Sequence, residues 1–177
     1  AGRKLSIDGT VQSMGGTINA SIATKSEQAD LNIALYGLHG DAPHLVLAPN
    51  SVADCVATTQ WAVQLAESLQ TPAIVLSDQY FGQARAVVEI PKSKNEKTER
   101  LKAKEGEPYK RYALTDSGVS PMSIPGQPGL TYTADGLEHN ERGIPSSSAA
   151  DHLAQMDKRA RKLATLDPGD AWADVEG

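Results

Sequence analysis

The stretch from Leu45 to Ser77 constrains this chain most, because an apolar run, an amphipathic helix and a second apolar run follow one another with little between them. "HLVLAPN" predicts a strand stopped by Pro49, whose ring removes a ladder donor. Ser51 stands where an N-cap belongs, and Asp54 follows at the capping-box spacing. Val52, Val56, Thr59, Val63, Ala66 and Leu69 recur at helical intervals and are the expected buried face. Thr71-Pro72 ends the helix, and "AIVLS" has the short, branched, continuous apolar character of a strand covered on both faces. Strand, helix and strand in that order imply a right-handed parallel crossover, so the expected fold class is α/β.

Composition excludes several other classes. At 177 residues, 40% hydrophobic and with a net charge of −5, the chain reads as a globular protein with room for one domain and an arm, and no basic excess points to nucleic acid. No apolar run approaches a membrane span, and "AGRKLSIDG" lacks the core of a signal peptide. Cys55 is the only cysteine, which rules out an internal disulfide and fits a cytoplasmic setting. Its place beside the helix's apolar face predicts an inert small hydrophobe.

Upstream, "LSIDGTVQ" reads as a strand and Ser26 as the cap of a short helix through "EQADLNIALYG", with Leu31 and Leu35 inward and Gly37 in the left-handed C-terminal position. Residues 11–31 then form a strand-to-helix connection, the place where open parallel sheets gather ligands, and the same rule selects "SDQYFGQ" after the second strand. The expected organisation is an α/β domain over 1–91, a charged linker or arm over 92–112, and an irregular Gly/Pro-rich segment with a C-terminal helix over 113–177. Ser148 and Asp151 repeat the capping-box spacing at the start of that helix, whose apolar stripe is expected at Ala149, Leu153, Met156, Ala160 and Leu163.

Chemistry-bearing motifs are sparse. His39, His44, His139 and His152 form no HExxH pair, so surface or loop-anchoring roles outweigh zinc ligation. No Gly-x-Ser-x-Gly elbow surrounds Ser77-Asp78, and Gly15-Gly16 lacks the rest of a nucleotide fingerprint. The basic run from Lys158 to Lys162 suits either a phosphate or carboxylate ligand or the negative end of a helix dipole.

Three ordered blocks resemble the alpha subunit of 2-oxoacid:ferredoxin oxidoreductases, especially the 2-oxoglutarate type: "TKSEQADLNIALYGLHGDAPHLVLAPNSVADC", "TPAIVLSDQYFGQ" and "GLEHNERGIPSSSAADHLAQMDKRARKL". The last is similar to a Gly-x-Glu-His block followed by a helix carrying His152, Met156, Lys158 and Arg159. The resemblance implies an incomplete parallel sheet of a thiamine-diphosphate-binding, pyrimidine-domain fold. It further implies a beta subunit bringing the diphosphate site, magnesium and an iron–sulfur cluster, with ferredoxin and coenzyme A as partners, and no cofactor in this chain alone. Together such subunits decarboxylate a 2-oxoacid to an acyl-coenzyme A. Thr24 and Lys25 correspond to the family's substrate loop, and Asp78, Glu138, His139, Lys158 and Arg159 become candidates for lining the active site; no catalytic residue and no metal ligand is assigned to this chain.

The chain departs from that pattern at two places. A Tyr-Pro-Ile-Thr-Pro segment and the carboxylate that activates thiamine do not precede residue 1, so the chain is expected to start midway through the domain and to be inactive in isolation. The arginine that reads the distal carboxylate of 2-oxoglutarate falls on Gly15 or Met14, which points to a smaller or less acidic 2-oxoacid, or to no ligand in that loop. The alternative is a noncatalytic interaction or assembly module derived from the same fold, self-associating through an open sheet edge.

Overall fold

The structure, a computed structural model, describes residues 11–13, 16–18, 29–89 and 100–167. The chain divides into two compact units, Ala1–Glu99 and Arg100–Gly177.

In the first unit, strand β1 (Val11–Ser13) pairs antiparallel with β2 (Gly16–Ile18), with Val11 opposite Ile18 and Ser13 opposite Gly16. Of the strand expected over "LSIDGTVQ", Val11 and Gln12 fall in β1, and the rest lies outside the described residues, as does the expected cap Ser26. Helix α1 (Ala29–Tyr36) corrects the expected inward face. Leu31 and Leu35 are exposed, whereas Ala34 is fully buried. His44 turns its Nε2 to the Ala34 carbonyl, one of the orphan acceptors of a helix end. Gly37 is not left-handed as expected. Its N–H donates to the Ile33 carbonyl at 2.8 Å, continuing the helical ladder, and a Cβ there would stand 2.9 Å from that oxygen. Glycine is needed for room, not for a positive φ.

Strand β3 (Leu45–Leu47), helix α2 (Asp54–Leu69) and strand β4 (Ala73–Val75) form the expected parallel unit, with Leu45, Val46 and Leu47 opposite Ala73, Ile74 and Val75. All six strand residues are half-buried instead of covered on both faces, because among the described residues the sheet has two strands and α2 packs against β4. Ser51 Oγ accepts the Asp54 N–H at 3.2 Å and Asp54 Oδ2 accepts the Asn50 N–H at 3.1 Å, but Ser51 is not the N-cap expected: α2 starts at Asp54, and its cap position, Ala53, has no side chain able to accept a hydrogen bond. Gln70 ends α2 in the left-handed region at φ 50°.

The face that α2 buries is not the expected one. Thr58, Ala62 and Leu65 are buried while Val56 and Val63 are exposed. Helix α3 (Gln79–Gln83) is a single short turn whose first N–H groups are met by Asp78, with Oδ1 accepting the Phe81 N–H at 2.9 Å.

The second unit is an irregular segment folded onto helix α4 (Ala149–Ala164). Its turns use Gly106, Gly118, Gly126, Gly129 and Gly143 at positive φ. Isolated bridges join Lys102 to Met122 and His139 to Pro145. Ser148 caps α4 as expected, accepting the Asp151 N–H. The apolar stripe predicted for α4 is overturned, since Leu153 is 63% exposed and Ala160 is exposed, while Gln155 and Lys158 are buried. The partner surface offers polar loop groups, and polar side chains meet them: Gln155 Nε2 donates to the Tyr112 carbonyl at 3.1 Å, and Lys158 Nζ donates to Ser120 Oγ at 2.9 Å. Of the charged run 92–112, residues 100–112 belong to this unit, and Arg111 is only 9% exposed.

Candidate functional site

Glu138 and His139 are held by a tight turn. Asn140 Oδ1 accepts the N–H groups of Arg142 and Ile144, the Asn140 N–H donates to the Ile144 carbonyl, and Gly143 at φ 82° closes the turn. Ser146 N–H then donates to the Glu138 carbonyl at 2.8 Å. Glu141 anchors this turn to the preceding segment through the Leu114 N–H and Lys110 Nζ, both at 3.0 Å. Those hydrogen bonds hold its carboxyl below the usual range.

Glu138 faces α4. Its Oε1 accepts from Arg159 Nη2 at 2.7 Å and from the His139 N–H at 3.1 Å, and its Oε2 accepts from Arg159 Nη1 at 3.0 Å and meets His152 Nδ1 at 2.9 Å. Burial alone would raise this carboxyl, but the hydrogen bonds from Arg159, His152 and His139 outweigh it and hold the group at about 2. Glu138 is therefore an ionised anchor with its oxygens committed.

His139 lies 5% exposed against the Tyr112 ring, centroids 4.9 Å apart. Its Nε2 is 3.1 Å from Asp135 Oδ1 without hydrogen-bond alignment. On the same tyrosine, Lys158 Nζ stands 5.5 Å from the ring centroid, and the Arg111 guanidinium lies 5.1 Å from the Tyr112 centroid and 5.4 Å from that of Tyr132. Tyr112 and Tyr132 pack edge to face. Burial raises the Tyr112 hydroxyl above its ordinary value. Arg111 Nε is buried and finds no hydrogen-bond partner among the described residues. Burial, with the positive charges of Lys162, Arg111 and Arg159, lowers Lys158 to about 8. Lys162 is lowered to about 8 by burial and by Arg111 and Arg159.

Of the residues singled out from sequence, Glu138, His139, Lys158 and Arg159 come together in the second unit, and Asp78 is an exposed helix cap in the first. Thr24 and Lys25, like Met14 and Gly15 of the expected substrate loop, lie outside the described residues. Arg111, Tyr112 and Ser120 were missed, although Tyr109 and Tyr112 flanking two cations were a visible signal of aromatic packing. The arrangement concentrates positive charge against aromatic faces. Among the described residues no group of three or more histidine, cysteine or carboxylate side chains could hold a metal, and no helix is long and apolar enough to cross a membrane.

Residues 13–158 match the family described as pyruvate flavodoxin/ferredoxin oxidoreductase, thiamine diP-binding. The chain belongs to this family of thiamine-diphosphate-binding domains. The alpha subunit of 2-oxoacid:ferredoxin oxidoreductase 1 from Sulfurisphaera tokodaii is 33% identical over 159 residues, covering 86% of this chain and 25% of that one. The 2-oxoglutarate oxidoreductase subunit KorA of Mycobacterium tuberculosis is 38% identical over 151 residues, covering 84% and 23%. A solved structure of 2-oxoglutarate:ferredoxin oxidoreductase from Magnetococcus marinus, with 2-oxoglutarate, coenzyme A and succinyl-CoA bound, superposes with a TM-score of 0.67 at 35% identity, covering 81% of this chain and 26% of that one. The chain thus spans about a quarter of the length of these relatives.

Proposed function

We propose that this chain is part of the alpha subunit of a 2-oxoacid:ferredoxin oxidoreductase, contributing to thiamine-dependent decarboxylation of a 2-oxoacid to an acyl-coenzyme A with electrons passed to ferredoxin. The observation that carries this reading is the family match across residues 13–158, reinforced by relatives that are alpha subunits. In this reading Thr24 and Lys25 contact the 2-oxoacid, and Glu138, His139, Lys158 and Arg159 form a wall of the assembled site. The loop around Gly15 lacks the carboxylate-reading arginine of the 2-oxoglutarate pattern, so a smaller or less acidic 2-oxoacid is the favoured substrate.

Thiamine diphosphate, when bound, supplies the carbanion that attacks the 2-oxo carbon. An iron–sulfur cluster does not fit this chain, because four thiolates are required and the sequence has Cys55 alone. The described residues also offer no magnesium group. A beta subunit is the proposed source of both, and the chain by itself is proposed to be inactive. Co-expression with a beta subunit and a 2-oxoacid-dependent dye-reduction assay tests this: activity should require both chains, and failure to co-purify with any beta subunit would overturn it.

A second reading, a noncatalytic assembly module in the cytoplasm, is favoured by one observation. Strands β3 and β4 form a parallel pair that is half-buried, a state parallel sheets avoid, with its edges unpaired among the described residues. Light scattering that finds only monomer would remove this self-association.

A further inference from the structure

Helix α4 turns its apolar stripe to water. Gln155 and Lys158 mark the side that packs on the loops, and at about 100° per residue Ala149, Leu153, Ala160 and Ala164 fall on the opposite side. All four are exposed, and Met156 and Leu163 line one edge of the stripe half-buried. Along the other edge stand Asp157 and Arg161, both exposed and one helical turn apart. Arg161 Nη1 donates to the Thr115 carbonyl at 2.8 Å, and among the described residues no ion pair joins it to Asp157. A helix that is polar on its buried side and apolar on its outer side reverses the ordinary arrangement, and a contiguous apolar face left in water marks an interaction surface.

We propose that the outer face of α4 is a contact between two copies of this chain, with the helices antiparallel about a two-fold axis midway between Asp157 and Ala160. The charges select this occupant and this orientation. An antiparallel two-fold pair sets each edge of the face against the same edge of the other copy, whereas a parallel pair sets opposite edges together. Asp157 and Arg161 share one edge. With Leu153 of each copy over Ala164 of the other, Asp157 of one copy stands beside Arg161 of the other, and symmetry makes this ion pair twice. Arg161 retains its second terminal nitrogen for that carboxylate, since only Nη1 is committed to Thr115. The same register puts a bulky side chain against a small one, and Ala160 beside the axis leaves room for the helices to approach. Antiparallel helix dipoles add to the preference. The overlap is about 18 Å of helix, which buries less than the roughly 1,200 Å² of a standard interface, so the dissociation constant is expected on the order of 100 µM. This contact stands on α4 alone and is independent of both the oxidoreductase reading and the β3–β4 edge.

Sedimentation equilibrium on the full chain, at low salt and from about 10 µM to about 1 mM, tests the contact. The unmodified chain should pass from monomer to dimer over that range. Leu153→Gln, a polar replacement at an exposed site, should melt at the same temperature and weaken association by at least about tenfold. Asp157→Arg and Arg161→Glu each set like charges together at both symmetric contacts, and each should also weaken association by about tenfold. Mixed one to one, these two variants should associate as well as the unmodified chain, because each offers the sign the other lacks. The double variant, Asp157→Arg with Arg161→Glu, should recover association with itself for the same reason. Should Arg161→Glu melt early through loss of the Thr115 contact, Leu153→Gln and Asp157→Arg carry the test. A chain that stays monomeric up to about 1 mM, or an association that Leu153→Gln leaves intact, would overturn the proposal. So would folded single-charge variants that fail to associate when mixed. Association that survives every α4 substitution would belong to the β3–β4 edge, which likewise removes α4 as the contact.

Discussion

Glu138 accepts both terminal nitrogens of Arg159, at 2.7 and 3.0 Å, in a fork-to-fork pair that ties the 138–146 turn to the middle of α4. This contact replaces the apolar seam that would ordinarily dock a helix onto its unit. Arg159 is 30% and Glu138 17% exposed, so water screens the pair only in part. Replacing Glu138 with Gln keeps the shape but leaves Arg159 without its charge partner, and should cost about 2 kcal/mol. Urea denaturation followed by tyrosine fluorescence measures the loss; an effect under about 0.5 kcal/mol would mean that the pair is no more than a surface contact.

The same carboxylate sets an acid limb. Glu138 is lowered in the folded chain from 4.5 to about 2, so the unfolded chain binds the proton more readily. Its contribution is fully present above pH about 4.5 and is lost as pH falls from there toward 2. Stability measured across that window should fall less steeply in Glu138→Gln than in the unmodified chain. Equal slopes would separate the acid limb from this residue.

At alkaline pH the sign reverses. Lys158 and Lys162 are lowered from 10.5 to about 8, with Arg111 and Arg159 facing both and Glu138 facing Lys158 as the counter-charge. Between pH about 8 and 10.5 the unfolded chain holds protons that the folded chain has released, so stability should rise with pH. Tyr112, raised by burial, stays neutral through most of that window and does not offset the rise. Denaturation at pH 7.5 and 9.5 should show the increase, and Lys158→Met should flatten it. A fall in stability over this range would contradict the burial of these lysines.

Gly118 is required twice over. Its φ is +74°, and a Cβ would stand 2.6 Å from the Lys158 carbonyl oxygen and 2.9 Å from the Lys162 backbone nitrogen. Neither neighbour is a flexible tip, so Gly118→Ala combines left-handed strain with a backbone clash and should cost at least about 2 kcal/mol. The matched control is Gly106→Ala, also at positive φ but with open space around it, which should lose only about 1 kcal/mol. Circular dichroism melts of the two variants distinguish clash from strain.

The caps and turns of this fold were legible because they depend on nearest neighbours. Ser51 with Asp54 and Ser148 with Asp151 are local hydrogen bonds at the spacing the sequence singles out, although the cap position of α2 is Ala53 and not Ser51; Asp78 with Phe81 is as local but was not expected as a cap. Burial was not legible where it depends on what lies opposite. Leu31, Leu35, Val56, Val63 and Leu153 are apolar and exposed, while Lys158 and Gln155 are buried. The rule that apolar residues point inward presumes an apolar partner surface, and α4 instead meets backbone carbonyls and hydroxyls. Arg111 was hidden in a charged run whose other described members are mostly exposed. Its burial follows from three tyrosines distributed over residues 109–132, a separation that no local pattern reveals.

Helix α2 offers a direct contrast between the two readings of burial. Sequence periodicity puts Val63 inward, whereas the fold leaves it 56% exposed and buries Leu65 to 7%. Leu65→Ala should therefore create a cavity against β4 and cost about 2 to 3 kcal/mol. Val63→Thr, which keeps the branched shape and adds a hydroxyl, should stay within about 0.5 kcal/mol of the unmodified chain, since an exposed hydroxyl remains hydrated. The inverse order, with Val63→Thr the more damaging, would restore the helix face expected from periodicity and rotate α2 on the sheet. Such a rotation would also move Thr58, whose hydroxyl donates to Asp54 Oδ2 at 2.9 Å, out of its buried position. Equilibrium denaturation of the two variants in parallel decides which side of α2 faces β4.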